Sequence, residues 1–138
     1  MKPSSLPALT RAIIAYALLV AGLPVLQGAS FITGGWTESV ALLALYFFVP
    51  LGGVWLATHR SMRPGAIILL GFMSSGFVIN SMLFANLRPP LFASPVWFVV
   101  LRVWILALIV VQVITAWLAF RVLQEAHRLT LPPGDPTA

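Results

Sequence analysis

The side chains in this chain that can do chemistry are few and far apart. Its carboxylates are Glu38, Glu125 and Asp135, its histidines are His59 and His127, and it has no cysteine. General acid–base catalysis needs such groups within hydrogen-bond reach of one reacting atom, and these five are scattered along the sequence. Without cysteine there is no disulfide framework, thiol redox motif or thiolate metal site. His59 and His127 are poor axial partners for one haem, because His127 lies six residues beyond Arg121, about 9 Å further along a helix. No catalytic residue, metal or cofactor is expected, and the chain reads as a non-enzyme.

A second group of polar residues stands inside long apolar runs, where polarity is costly. Asn80 and Gln112 are the most expensive to bury, and Ser74, Ser75 and Thr115 less so. Their ordinary use is hydrogen bonding between or within helices, and their sharper use is to line a ligand or quinone pocket. Glu38 and Arg102 are the charged counterparts. Arg102 precedes Arg121 by about 28 Å of helix and Glu38 precedes His59 by about 31 Å, so the two reach similar depth if Arg121 and His59 share a surface. An ion pair between them would relieve the cost of a charge near hydrocarbon.

The elements that must position these groups are built on uncharged runs between Arg11 and Glu38, Glu38 and His59, Arg63 and Arg88, and Arg102 and Arg121, and are expected as four transmembrane helices over about 9–31, 38–58, 64–86 and 95–121. Each run is bracketed by charged residues and long enough to cross a hydrocarbon core of about 30 Å, which takes roughly 20 helical residues. Hydrophobic residues make up 60% and charged residues 8% of the 138 positions, against about 25% charged in soluble domains. The fold class expected is all-α: one four-helix antiparallel membrane bundle over 1–129, with a Pro-rich disordered tail over 130–138.

Charge sets the direction. Lys2, Arg11, Arg60, Arg63, Arg121 and Arg128 fall on one side of such a bundle, and Arg88 and Arg102 on or toward the other. Excess Lys and Arg mark the cytoplasmic face, so both termini are expected inside, with a bacterial cytoplasmic (inner) membrane as the location. The net charge of +5 is thus topology rather than a nucleic-acid signal. An N-terminal signal peptide is not expected, since Gln27 breaks the small-x-small pattern before a cut at Ala29.

Small and polar residues mark where helices meet in lipid, which offers no hydrophobic reason for contact. On the fourth span Gln112, Thr115, Ala116 and Ala119 share a face, continued outward by Ile105 and Leu108. On the second, Glu38, Ala41, Ala44, Phe48 and Gly52 do so. On the third, Gly71, Ser74, Ser75, Val78, Met82 and Ala85 form one stripe, while Gly76 and Asn80 form another. The second stripe, and the apolar turn Val96 to Leu101 with Trp97 as its anchor, are expected to face a partner.

The expected role is therefore a non-catalytic integral subunit or accessory/assembly factor of a larger membrane complex, its partners being the lipid bilayer and other membrane subunits or a second copy. The alternative is a homo-oligomeric transporter or channel. In dimensions the chain is similar to the small multidrug transporters, which rely on an acidic residue in the first span. Here that span offers only Tyr16 and Gln27 as longer polar side chains.

Overall fold

The computed structural model describes residues 4–30, 36–86 and 95–130, the side chains of 23–30 and 36–43 excepted. Among them are four helices and no strand: α1 (Leu6–Ser30), α2 (Trp36–His59), α3 (Met62–Asn86) and α4 (Pro95–Thr130). Proline does what its chemistry dictates at two boundaries. Pro64 sits in the first turn of α3 and Pro95 is the first residue of α4, where the missing N–H has no helical partner to lose. Pro50 lies inside α2 and leaves the Tyr46 carbonyl without its usual donor four residues on. Thr37 lies within the first turn of α2, which begins at Trp36. The α4 helix runs unbroken past Arg121 to Thr130. Thr130, the first residue of the expected disordered tail, ends α4, and 131–138 lie outside the described residues.

Contacts arrange the helices in a ring, α1 beside α2, α2 beside α3, α3 beside α4 and α4 beside α1. Paired residues give the directions. Ser5 meets Glu125 and Leu19 meets Trp104, so α1 and α4 are antiparallel; Arg63 meets His127 and Asn80 meets Gln112, so α3 and α4 are too. The core between them is built from Leu9, Ile13, Tyr16, Leu69, Met73, Leu101, Ile105, Leu108 and Val122, all essentially inaccessible. At helical spacing, each supplies one inward stripe.

The outer surface is as apolar as the core. Leu18, Phe48, Trp55, Ile67, Val78, Met82, Val99, Val103 and Trp117 all project outward. Judged on the described residues, α3 and α4 are long and apolar enough to cross a membrane, whereas the described parts of α1 and α2 give shorter apolar stretches. A buried helix of a soluble core passes the same test of length and composition. Only 17% and 28% of the apolar stretches of α3 and α4 are buried, however, where a core helix would be mostly buried.

The tightest approach is between α2 and α3. A methyl group on Gly65 would lie 2.6 Å from both the Ala57 amide nitrogen and the Gly53 carbonyl oxygen, and 2.7 Å from the Ala57 methyl. Gly53 and Ala57 are one turn apart, so two small residues on α2 form a notch into which the α3 backbone fits. Gly52 does not take part. It faces outward with open space around it, and Ala44 and Phe48 beside it are exposed as well. The face expected to turn inward on α2 is therefore corrected: Tyr46, Pro50, Gly53, Val54 and Ala57 face the other helices. The neighbouring glycines at 52 and 53 lie about 100° apart around the helix, and the bulk of Phe48 favours the outside for Gly52.

At the other seam Glu125, near the end of α4, reaches over the start of α1. Ser5 donates to it from its hydroxyl at 3.0 Å and from its backbone N–H at 3.4 Å, and Ser4 donates at 3.4 Å. A carboxylate there also complements the positive end of the α1 dipole. Partial burial alone would raise the Glu125 pKa, but the Ser5 and Ser4 hydrogen bonds together outweigh it and hold the carboxyl below its usual range. A depressed folded pKa stabilises above the unfolded value, about 4.3, and that contribution is lost as pH falls through the folded pKa. Protection of the first turn of α1 against hydrogen exchange, taken relative to the intrinsic rate at each pH, should accordingly fall on acidification below about pH 4, and Glu125→Gln should show the reduced protection already at neutral pH. Protection that ignores both changes would mean the contact does not tether α1.

Candidate functional site

Halfway along the bundle each helix contributes a polar residue to one layer. Tyr16 comes from α1, Tyr46 from α2, Asn80 from α3 and Gln112 from α4. Gln112 is wholly buried and Tyr16 is 1% exposed. The Asn80 amide donates to the Gln112 side-chain oxygen at 3.1 Å. The Tyr16 phenol lies beside the Gln112 amide. Among the described residues no acceptor stands at full hydrogen-bonding geometry to Gln112 Nε2. Tyr46 in turn packs against Phe72, with ring centroids 5.0 Å apart.

Gly76 makes room for this layer. A methyl group there would sit 2.6 Å from Gln112 Nε2 and 3.4 Å from Cε1 of Tyr46. Gly76 and Asn80 are one turn apart on α3, so the stripe they form is the seam with α4. This corrects the expectation that it faces a partner chain. The stripe of Gly71, Ser74, Ser75, Val78, Met82 and Ala85 is the one that points outward. Gly71 contacts no other described helix, and the Ser74 and Ser75 hydroxyls bond the Leu70 and Gly71 carbonyls of their own helix at 2.7 and 3.0 Å. Both stripes carry small residues, and what separates them is Asn80. A carboxamide within an apolar run needs a partner in the same layer of the bundle, and Gln112 supplies it.

The α4 face is placed as its residues suggest. Gln112, Thr115 and Ala119 are fully buried and Ala116 is packed against the core. Thr115 spends its hydroxyl on the Val111 carbonyl at 2.7 Å, so it contributes volume rather than a free donor to the layer. Trp97 does not project. It is half-buried and packs, together with Phe98, against the bundle's own core.

Toward the far end, Arg102 lies between two aromatic faces, its guanidinium carbon 4.5 Å from the Phe84 centroid and 5.3 Å from that of Phe98. Ring quadrupoles offer a cation some compensation for lost water. Glu38 lies in the first turn of α2, but its side chain is outside the described residues, as is the expected ion pair. The residue that sequence reasoning passed over at this level is Trp104. Its indole N–H donates to the Leu19 carbonyl at 2.8 Å and its ring covers Gly22, tying α4 to α1. A tryptophan opposite a glycine of matching depth was the available signal.

Such a layer can hold helices in register and can bond one more acceptor through Gln112 Nε2. It contains no carboxylate or histidine, hence no group suited to acid–base work near neutral pH. Among the described residues no three His, Asp or Glu side chains gather as a metal site would require. The chain matches no protein-family model, no curated protein and no solved structure.

Proposed function

We propose that this chain is a non-catalytic, four-span integral subunit or accessory factor of a larger membrane complex, sitting in a bacterial cytoplasmic membrane with both termini inside. The observation that carries the reading is the Asn80–Gln112 bond. The two costliest polar side chains of the apolar runs are turned on each other across the α3–α4 seam, which is how membrane helices use polarity for adhesion. The remaining outward surface is almost wholly apolar over the helix lengths, which suits lipid and neighbouring helices. Arg11, Arg60, Arg63, Arg121 and Arg128, toward the end that carries Ser5 and His127, support the orientation.

A small homo-oligomeric transporter or channel is the second reading, and the buried Gln112 Nε2 without a bonded acceptor favours it. Extraction in mild detergent followed by identification of co-migrating proteins separates the two. The subunit reading expects a stoichiometric larger partner, while migration solely as a homo-oligomer would favour the transporter. Membrane-impermeant labelling of single cysteines at positions 2 and 136 tests the orientation, and reaction of either in intact cells would overturn it.

A further inference from the structure

We propose that the α3–α4 seam at the basic end of the bundle binds an anionic membrane lipid, taking its phosphate between Arg63 and His127 and laying an acyl chain along the apolar strip below. The inference rests on the bilayer placement proposed above and adds a ligand to it.

The site begins with an unusual pairing. Nη2 of Arg63 is 3.0 Å from Nδ1 of His127, so a guanidinium meets an imidazole nitrogen where a carboxylate would be its ordinary partner. Glu125, the acidic side chain described at this end, is on the other flank of α4, where Ser4 and Ser5 hold it against α1. Two residues separate Glu125 from His127, and a helix turns about 200° over that distance, so α4 sorts the acid to one seam and the histidine to the other. Arg60, just before α3, and Arg128, next to His127, are both exposed and extend the cationic surface. An anion with several acceptor oxygens can engage the Arg63 fork while His127 presents its other ring nitrogen.

What lies beneath the charges identifies the anion as a lipid. One turn deeper than Arg63 on α3 is Ile67, 57% exposed, followed by Leu70 and then Gly71 with open space around it. One turn deeper than His127 on α4 is Leu123, and a further turn gives Phe120, 48% exposed. Arg63 with Ile67 and His127 with Leu123 and Phe120 thus form two neighbouring columns, each cationic or polar at the top and apolar below. Soluble phosphate would use only the top of these columns, whereas a phospholipid uses their full length.

Native mass spectrometry of the full chain, released from micelles doped equally with phosphatidylglycerol and phosphatidylcholine of matched chains, tests this. The expected result is preferential retention of phosphatidylglycerol, reduced about fivefold by Arg63→Gln and again by Arg128→Gln, as loss of one interfacial cation implies. Arg11→Gln removes the same charge from α1, away from the seam, and should leave retention unchanged. Excess inorganic phosphate should not displace the lipid. Equal retention of both lipids, equal losses in the α1 and α3 variants, or full displacement by phosphate would each overturn the proposal. Alkaline washing of native membranes tells this failure from failure of the bilayer placement, since only the latter releases the protein.

Discussion

Gly65→Ala should remove most of the folded protein. The added methyl would meet backbone on α2, at 2.6 Å from the Ala57 nitrogen and the Gly53 oxygen, and neither atom can rotate away. Relief requires that the start of α3 and the end of α2 move apart, which also loosens Leu69, packed 3.0 Å from the place a Gly53 methyl would occupy. Overpacking of this kind costs about 1–3 kcal/mol and more when backbone is the obstacle. The gain in helix propensity from glycine to alanine, about 1 kcal/mol, is too small to offset it. Folded yield by size-exclusion chromatography in detergent, with thermal unfolding of whatever remains, measures the loss. A variant as stable as wild type would show that the two helices are not in close backbone contact.

Gly76→Leu is expected to have the next largest effect, and to act within the chain. A stripe facing a partner, as expected for Gly76 and Asn80, would have placed the effect on association. With Gly76 against Gln112 and Tyr46, a leucine must instead expel the Gln112 amide, break its bond to Asn80 and leave both carboxamides seeking partners in an apolar layer. Overpacking and the lost bond together predict a cost of about 3 kcal/mol or more. Gly76→Ala is a finer probe, because the atom it strikes is the end of a side chain. Paired with Gln112→Ala it should cost less than the two single changes added together, since the truncated residue at 112 no longer fills the notch. Strict additivity would place the Gln112 amide elsewhere. Loss of oligomer with full retention of folded monomer in Gly76→Leu would restore the association reading.

How much of this was legible in the residues follows from what sets helix rotation in lipid. Long uncharged runs, prolines at helix starts and the inward stripe of Ile105, Leu108, Gln112, Thr115 and Ala119 could be read directly, because length, backbone chemistry and the cost of a buried carboxamide act locally. Rotation of α2 and α3 could not be read from residue size, since both faces of each helix carry apolar or small residues. Asn80 held the answer for α3, as a carboxamide that had to find Gln112, and the spacing of Gly53 and Ala57 held it for α2. Pro64-Gly65 was informative only as a helix start. The role of Gly65 as the point of closest approach depends on the opposing notch, which no single helix reveals. The aromatic seat of Arg102 was equally invisible, because Phe84 and Phe98 approach it from two different helices.

The central claim, that the apolar exterior is a docking surface within a larger complex, is tested most directly by site-specific photo-crosslinking in native membranes. A photoreactive residue would be placed in turn at outward positions on each helix: Leu18, Phe48, Val78, Met82, Val99 and Val103. The account predicts that one contiguous set of these positions yields an adduct with a single larger membrane polypeptide, while the others yield lipid alone. Adducts confined to a second copy of this chain would contradict it and leave a homo-oligomeric transporter or channel in its place.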